Sequence, residues 1–255
     1  MYGPDFFAKH HAGAERSARS VLPLVLELVE PGSVIDVGCG SGAWLAEAER
    51  LGVSDYLGVD GFTPAGSLAI PAERFRTHDL ATPLRLDRRF DLVISLEVAE
   101  HVEERAAATL VESLVSLGPV VLFSAAVPDQ GGDGHLNEQF PDYWVRLFGE
   151  HGFVAVDALR PALWGDDDVA WWYRQNMLLM CEREAVAGRP RLRDLHESTR
   201  REQLAVIHPY LYLSRTHEWR RARDEVARER SFREVLGMAR PAAAEAVRRR
   251  LRRRN

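Results

Sequence analysis

Cysteine is almost absent from this 255-residue chain, which contains only Cys39 and Cys181. The two residues lie far apart and form no Cys-x-x-Cys pattern. This scarcity argues against a disulfide framework and against a structural zinc site, because both need paired or clustered cysteines. A chain with so few cysteines suits a reducing compartment, and we therefore expect a cytoplasmic protein.

A long hydrophobic run is also missing. The most apolar early segment, VLPLVLELV at residues 21–29, contains Pro23 and Glu27. It is far shorter than the about 20 apolar residues that a helix needs to cross a bilayer. It also begins too late, behind a polar segment, to be a signal peptide. The sequence thus predicts a soluble protein without a membrane span.

Positive charge is scarce except at one end of the chain. Residues 215–255 contain fourteen Arg and six acidic residues, a net charge of +8, whereas the whole chain carries −5 and residues 1–214 therefore carry −13. Because an acidic body disfavours a broad phosphate-binding surface, we expect a small-molecule substrate in preference to a nucleic acid. The arginine-rich end is either a solvated helical tail or a contact for nucleic acid or an anionic membrane.

Apolar runs and amphipathic stretches alternate along most of the chain. Five strands alternate with helices, and two further strands follow without a helix between them, so we expect those two to be antiparallel. The pattern predicts an α/β fold with a doubly wound, seven-stranded, Rossmann-like sheet whose last strand is antiparallel. The strands are expected at 33–38, 55–61, 74–80, 90–97, 119–127, 154–160 and 171–184, in a central domain (31–185) flanked by an amino-terminal helical cap (1–30) and a carboxy-terminal helical extension (186–255).

The segment VIDVGCGSGAW, residues 34–44, joins the first predicted strand to the first helix. Gly38, Gly40 and Gly42 permit a tight turn and a close approach of the backbone to a ligand, but a dinucleotide-binding loop shares this spacing. Asp36 discriminates between the two, because a carboxylate inside the strand repels a pyrophosphate and attracts a cationic ligand such as a sulfonium with an amino group. Asp60 ends the second strand, where a carboxylate would hold a ribose diol.

The stretches IDVGCGSG, GVDG, HDL and FDLVISLEVAEHV stand in this order at predicted strand ends. They resemble class I S-adenosylmethionine-dependent methyltransferases, and the resemblance implies S-adenosylmethionine as the cofactor. A nicotinamide-dependent enzyme is the competing interpretation, but Lys9 is the only lysine and cannot form a Tyr-x-x-x-Lys pair. By the resemblance, the methionine part meets Asp36, Gly38, Cys39, Gly40, Gly42 and Leu96, the ribose meets Asp60 and Gly61, and the adenine meets Asp79 and Leu80.

The segment SLEVAEHV, residues 95–102, places two carboxylates and an imidazole after the fourth predicted strand. Glu97, Glu100 and His101, with the later His135, resemble the metal-binding set of small-RNA 3′-terminal 2′-O-methyltransferases. The 34-residue gap between the two histidines is shorter than expected in that family. The resemblance implies a divalent cation, Mg²⁺ or Mn²⁺, that lowers the pKa of an acceptor hydroxyl.

Two other interpretations of this cluster stay open. EVAEHV also resembles small-molecule O-methyltransferases, in which His101 or His135, beside Glu100, would take the proton without a metal. Alternatively, the carboxylates cap the helix predicted from residue 103, and His101 is a buried, hydrogen-bonded side chain.

Polar and aromatic residues near the same edge of the sheet are candidates for binding the acceptor. The aromatic residues at 171–173 and Trp164, beside Asp166, Asp167 and Asp168, suit a sugar or polyol, although the same aromatics could pack under the last helices or form a homodimer contact. Asn137 or Gln139 could instead cap the helix expected from residue 141. The candidates for substrate binding are Asn137, Glu138, Gln139, Trp164, Trp171 and Trp172, and those for covering the cofactor are Tyr2, Phe6, Phe7, His10 and His11.

These features predict an S-adenosylmethionine-dependent O-methyltransferase that acts on a hydroxyl of a small polar acceptor, preferably a sugar or glycosylated metabolite. One alternative is RNA 3′-terminal 2′-O-methylation, with the arginine-rich tail as a phosphate anchor. N-methylation of a small molecule is a second, and a catalytically silent module that keeps the cofactor is a third.

Overall fold

The computed structural model describes residues 4–61 and 68–228, with side chains described from residue 13 onward. The side chains predicted to cover the cofactor lie outside the described residues, as do residues 229–255 of the arginine-rich end. No helix among the described residues is both long and apolar enough to cross a bilayer. The residues outside this description are Tyr2, Phe6, Phe7, His10 and His11 as side chains, and the ranges 1–3, 62–67 and 229–255 as a whole.

One seven-stranded sheet forms the centre of the fold. Its strands are β1 (Ser33–Val37), β2 (Asp55–Asp60), β3 (Phe75–Thr77), β4 (Leu92–Leu96), β5 (Val120–Ser124), β6 (Phe153–Val156) and β7 (Leu178–Glu182). The spatial order is β3-β2-β1-β4-β5-β7-β6. Neighbouring strands are parallel except for β7, which runs antiparallel to both β5 and β6. The predicted α/β fold with an antiparallel last strand is therefore confirmed.

Helices cover both faces of the sheet. Strands β1, β4 and β5 are buried at every position, so their sequences SVIDV, LVISL and VVLFS show no apolar and polar alternation. The residues of β1 pack alternately on the two sides, with Val34 in one apolar cluster and Ile35 in the other. The helices of the first side are α1 (Pro4–Val29) and α2 (Ala43–Arg50), and those of the second are α3 (Glu104–Leu117) and α4 (Pro141–Glu150).

The strand order reverses between β1 and β4, since β2 lies on one side of this pair and β5 on the other. In open α/β sheets, ligands bind beyond the carboxyl ends of the strands at such a switch point. The loops at 38–42 and 97–103 begin there, and the loop at 125–140 follows the neighbouring strand β5. The topology therefore brings three of the sequence motifs to one edge of the sheet.

The segment before β7 differs from the prediction of a strand over 171–184 with no helix before it. Two short helices, α5 (Arg160–Leu163) and α6 (Trp171–Asn176), connect β6 to β7. The aromatic residues at 171–173 favoured a strand, but tertiary packing overrides that preference because Tyr173 to Asn176 are all buried. The third predicted strand, 74–80, is also shorter than expected, because β3 ends at Thr77.

The chain divides into two compact units, Met1–His208 and Pro209–Asn255. The first unit contains the whole sheet, and helices α7 (Arg183–Ala187) and α8 (Pro190–Ser198) add Val186 and Leu192 to its core. In the second unit, residues 209–228 form a helix. The domain boundaries at residues 30 and 185 stay predictions.

Candidate functional site

A cavity of about 1150 Å³ opens at the carboxyl edge of the sheet. It is bounded by the loops after β1, β2, β4 and β5, by α6 and by Ala14 of α1. Every predicted cofactor residue except Gly42 lines it, and so does every predicted metal ligand. The predicted residues on its wall are Asp36, Gly38, Cys39, Gly40, Asp60, Gly61, Asp79, Leu80, Leu96, Glu97, Glu100, His101, His135, Trp171 and Trp172.

The loop after β1 is shaped by glycines in left-handed conformations. Gly38 has a φ of 88°, and a Cβ there would lie 2.2 Å from the side chain of Val98, so no larger residue fits. Gly40 has a φ of 53° and donates its N–H to Asp60 Oδ2 at 2.8 Å. A Cβ on Gly42 would meet Ile70 at 2.8 Å, so Gly42 serves packing and does not face the cavity. The loop backbone is thereby free to approach a ligand closely.

Asp36 is an acid buried inside the sheet. Only 2% of its surface is exposed, and its Oδ2 has no hydrogen-bond partner among the described residues. Burial raises the pKa of this carboxyl well above its ordinary value, and the nearby charge of Asp60 raises it further. A cationic ligand in the cavity would offset both effects, which agrees with the predicted preference for a positively charged cofactor.

The remaining predicted cofactor residues form the wall at the ends of β2, β3 and β4. Asp79 Oδ1 accepts a hydrogen bond from Ala81 N at 3.0 Å, which fixes the turn that presents Leu80. Cys39 is buried, and burial raises the pKa of its thiol strongly, so it behaves as a small apolar side chain. Leu96 is 7% exposed at the end of β4.

The segment after β4 is not an α-helix. Glu97 has a left-handed φ of 54°, and residues Ala99–His101 form a single 3-10 turn. The Glu97 carboxylate accepts hydrogen bonds from Gln130 Nε2 at 2.9 Å and from Asn176 Nδ2 at 3.0 Å. Its own backbone N–H donates to Ser124. Glu97 is therefore held by the loop after β5 and by α6, while its carboxylate stays close enough to that of Glu100 to interact with it.

Glu100, His101 and His135 come together as possible metal ligands. One ligand atom from each residue lies within 4.8 Å of the other two. Among the described residues, this is the cluster whose geometry could hold a metal ion. Glu100 is completely buried, and neither carboxylate oxygen meets a well-aligned donor among the described residues, although the Glu97 carboxylate and the backbone at Glu100 and Ala126 lie close enough to interact with it. Burial, followed by the charge of Glu97, raises the pKa of Glu100 well above its ordinary value. Glu97 lies outside this three-residue group.

Both imidazoles leave one ring nitrogen facing the group. His101 Nδ1 donates to the carbonyl oxygen of Gly134 at 3.3 Å, and His135 Nδ1 donates to Glu138 Oε1 at 2.7 Å. Because each Nδ1 carries the proton, each Nε2 keeps its lone pair, and a carboxylate behind an imidazole is a common support for a metal ligand. Burial, together with His135, lowers the pKa of His101 and favours its neutral form.

The predicted substrate residues on the loop after β5 support the site from behind. Glu138 holds His135 and also accepts a hydrogen bond from Gly131 N at 2.7 Å. Asn137 and Gln139 hydrogen-bond to each other at 2.9 Å and do not line the cavity. Neither side chain caps α4. The N-cap residue of this helix is Phe140, and no side-chain hydrogen bond caps its first turn.

The aromatic residues divide between the cavity and the protein behind it. Trp171 and Trp172 line the cavity, whereas Trp164 packs on His208 with ring centroids 5.0 Å apart. Tyr173, the last of the aromatic residues at 171–173 expected at this edge, also lines it. Trp44 was missed as a site candidate, but it lines the cavity as well and meets Tyr173 edge to face at 5.3 Å. Its signal in the sequence was position, since it lies in the first turn of the helix after the glycine loop.

The chain is similar to a known protein family. The family described as "Methyltransferase domain" matches residues 9–165, which is more than half of the chain. No curated protein matches the sequence.

Solved structures give the same fold. CalS10, an amino pentose methyltransferase from Micromonospora echinaspora, superposes with a TM-score of 0.52 and is 14% identical, over 71% of this chain and 98% of that one. KedS8, a sugar N-methyltransferase from Streptoalloteichus sp., gives 0.51 and 18%, over 72% and 96%. Streptomyces venezuelae DesVI gives 0.50 and 15%, over 69% and 95%. At these identities the similarity is one of fold.

Proposed function

Because this chain belongs to the methyltransferase-domain family, we propose that it methylates a hydroxyl of a small polar acceptor, preferably a sugar or glycosylated metabolite, with a divalent metal in the site. It is a methyltransferase, and S-adenosylmethionine is its methyl donor. The observation that carries the finer proposal is the meeting of Glu100, His101 and His135 in the same cavity as the predicted cofactor residues.

The part of the cavity wall formed by Asp36, Gly38, Gly40 and Asp60, which we call the cofactor half, fits S-adenosylmethionine. When bound, this cofactor supplies a methyl group activated by a sulfonium charge. Asp36 offers a buried carboxylate oxygen without a partner among the described residues, and it stabilises the positive charge of the methionine part. Gly38 and Gly40 would allow the backbone to approach, and Asp60, already oriented by Gly40 N–H, would accept hydrogen bonds from the ribose.

The part of the cavity wall around Glu100, His101 and His135, which we call the acceptor half, fits a divalent cation. Glu100 contributes a buried carboxylate without a well-aligned donor among the described residues, and His101 and His135 contribute Nε2 lone pairs. A mixed carboxylate and imidazole set suits Mn²⁺ or another first-row ion, and Mg²⁺ less well. A cation held there would lower the pKa of an acceptor hydroxyl. Without a metal, Nε2 of His101 would take the hydroxyl proton, because its lowered pKa keeps it neutral.

The wall around the acceptor half favours an uncharged or cationic polyol. Trp171 and Trp172 offer ring faces to the C–H faces of a sugar. Among the described residues that line the cavity, Arg105 is the one with a permanent positive charge, and acidic residues outnumber it. Such a wall repels phosphate esters and supports a small acceptor in place of RNA. Of the lining acids, Glu97, Glu100, Glu103 and Asp133 surround the acceptor, whereas Asp36, Asp60 and Asp79 belong to the part of the wall proposed for the cofactor.

The first test separates cofactor, metal and acceptor. Calorimetric titration with S-adenosylhomocysteine should give binding, and methyl transfer from labelled S-adenosylmethionine should appear with a panel of methyl glycosides of glucose, mannose, rhamnose and glucosamine. EDTA should remove the activity and Mn²⁺ should restore it. Full activity in EDTA would reject the metal, a methylated amine would reject the hydroxyl, and no turnover on the panel would reject the sugar.

A further inference from the structure

Four polar side chains form a hydrogen-bonded network at the cavity wall, where Glu97 and Gln130 line the cavity and the other two lie behind them. We call Gln130, Gln175 and Asn176, all buried, the amide network, and Glu97 is the carboxylate that it contacts. Gln130 Oε1 accepts from Asn176 Nδ2 at 2.9 Å and from Gln175 Nε2 at 3.2 Å. Gln175 Nε2 also donates to Asn176 Oδ1 at 2.9 Å. The network joins the ends of β4 and β5 to the start of β7.

Two backbone N–H groups determine which way each amide points. Val127 N–H donates to Gln130 Oε1 at 3.4 Å, and His208 N–H donates to Gln175 Oε1 at 2.8 Å. A backbone N–H can only donate, so it identifies the oxygen of each amide and leaves the nitrogen on the other side. Gln130 Nε2 must therefore face Glu97, and Asn176 Nδ2 must do the same.

Glu97 accepts two of these hydrogen bonds, one on each carboxylate oxygen. Burial raises the pKa of this carboxyl, and the hydrogen bonds from Asn176, Ser124 and Gln130 act in the opposite direction by stabilising its charged form. Its backbone is in the left-handed region at a φ of 54°, a conformation that the surrounding structure must hold in place. The side chain still lines the cavity, so the network presents a fixed hydrogen-bond acceptor to the ligand space.

We infer that Glu97 is a specificity-determining residue that accepts a hydrogen bond from a hydroxyl of the methyl acceptor, and that it is not a ligand of the metal. Its position supports both parts, since it faces the cavity but lies outside the group of Glu100, His101 and His135. The inference rests on the proposed function, because it needs a hydroxyl-bearing acceptor. Gln130 and Asn176 are positioning residues that act through Glu97.

A reciprocal exchange of residues 97 and 130 tests this inference. Glu97→Gln alone places an amide nitrogen against Gln130 or Asn176, and Gln130→Glu alone places two carboxylates at the present 2.9 Å separation. In the double variant Glu97→Gln/Gln130→Glu, the new Gln donates to the new Glu, and every other hydrogen bond of the network keeps its direction. Only the position of the negative charge changes. We therefore expect both single variants to lose thermal stability and the double variant to regain it.

The deciding measurements are made on the double variant. Its calorimetric affinities for S-adenosylhomocysteine and for Mn²⁺ should stay within about threefold of wild type, whereas Glu100→Gln should lose Mn²⁺ binding. Its kcat/KM should fall about 10- to 100-fold for the methyl glycoside of the panel that wild type methylates fastest, as expected for a lost hydrogen bond to a charged group.

Each contrary result has its own meaning. Wild-type kcat/KM in the double variant would reduce Glu97 to a structural role, and Mn²⁺ binding lost as in Glu100→Gln would make it a metal ligand. Either result overturns the inference and leaves the proposed function standing. Wild-type protein that binds S-adenosylhomocysteine but methylates no glycoside overturns both proposals at once.

Discussion

Asp36 lies inside β1 with 2% of its surface exposed, and no described residue donates to its Oδ2. Burial, and then the charge of Asp60, raise the pKa of its carboxyl well above the ordinary value of 3.8. A group whose pKa is raised by folding contributes stability below its unfolded pKa, and that stability is lost as the pH rises through the folded pKa. Without cofactor, Asp36 therefore destabilises the protein at neutral and alkaline pH.

Replacing Asp36 with Asn should separate stability from cofactor binding. We expect Asp36→Asn to raise the free energy of unfolding of the cofactor-free protein at pH 8 by about 1–3 kcal/mol, because the buried charge is removed. The gain should shrink as the pH falls toward 4, where Asp36 of the wild type is protonated. The increase in Tm caused by S-adenosylmethionine should be smaller in the variant. Thermal unfolding from pH 4 to pH 8, with and without the cofactor, measures both effects.

The exposed Asp87 provides the matched control. Asp87→Asn is expected to change neither the pH dependence nor the response to the cofactor, since it lies on the surface away from the cavity. If Asp36→Asn destabilises the protein at pH 8, or keeps the full response to S-adenosylmethionine, then the electrostatic argument for Asp36 is wrong.

Single residues were predictable where their neighbours in sequence are also their neighbours in space. Asp36 and the glycines share one short loop, and the expectation that they line a ligand space agrees with the cavity wall. Gln130 and Asn176 were missed, because their importance comes from hydrogen bonds to Glu97 that span 33 and 79 positions. No local pattern marks an amide that points at a carboxylate from another strand.

At the scale of elements, apolar composition made the parallel strands predictable. Strands β1, β4 and β5 are buried throughout, and a continuous apolar run signals that environment directly. The WWYRQN sequence of α6 does not reveal its helix, because aromatic residues favour strands and the buried turn that ends at Asn176 depends on partners such as Trp44. Short connecting elements are decided by tertiary contacts, which a sequence pattern does not contain.

In the glycine-rich loop after β5, the glycine at position 132 leaves space for a neighbouring side chain. A Cβ on Gly132 would lie 2.2 Å from His135 Nε2, the nitrogen that faces the proposed metal group. Gly132 is not in the left-handed region that excludes side chains, so alanine should be tolerated by the backbone but should displace the imidazole. We expect Gly132→Ala to weaken Mn²⁺ binding by more than about tenfold, because one ligand is turned away.

Calorimetric titration with Mn²⁺ measures this effect, and Gly149→Ala is the control. A Cβ on Gly149 in α4 meets nothing within 4 Å, so this variant should bind Mn²⁺ like wild type and be slightly more stable. Unchanged Mn²⁺ affinity in Gly132→Ala would remove His135 from the proposed ligands.

At the scale of the whole molecule, the cavity and its support belong to the first unit, Met1–His208. The segment after β7 contributes to that unit beyond the predicted boundary at residue 185. Arg160 donates to the backbone oxygens of Gln175 at 3.1 Å and Leu204 at 2.6 Å. His208 N–H completes the amide network through Gln175. Residues 186–208 are thus structural neighbours of the site, a role that their charged sequence did not reveal.

Two truncations test where the methyltransferase unit ends. A chain that stops after residue 208 keeps the hydrogen bonds of Arg160 and His208, so we expect it to bind S-adenosylhomocysteine within about threefold of the full chain. A chain that stops after residue 185 leaves the buried Arg160 without the Leu204 oxygen and removes Leu192 from the core. Arg160 keeps the Asp157 carboxylate, but losing one acceptor of a buried cation together with apolar contacts of the core is costly, so this shorter chain should unfold at a much lower temperature or fail to bind. Circular dichroism melting and calorimetric titration distinguish the two. Equal binding by both truncations would return the boundary to residue 185 and make the last helices dispensable for the cofactor site.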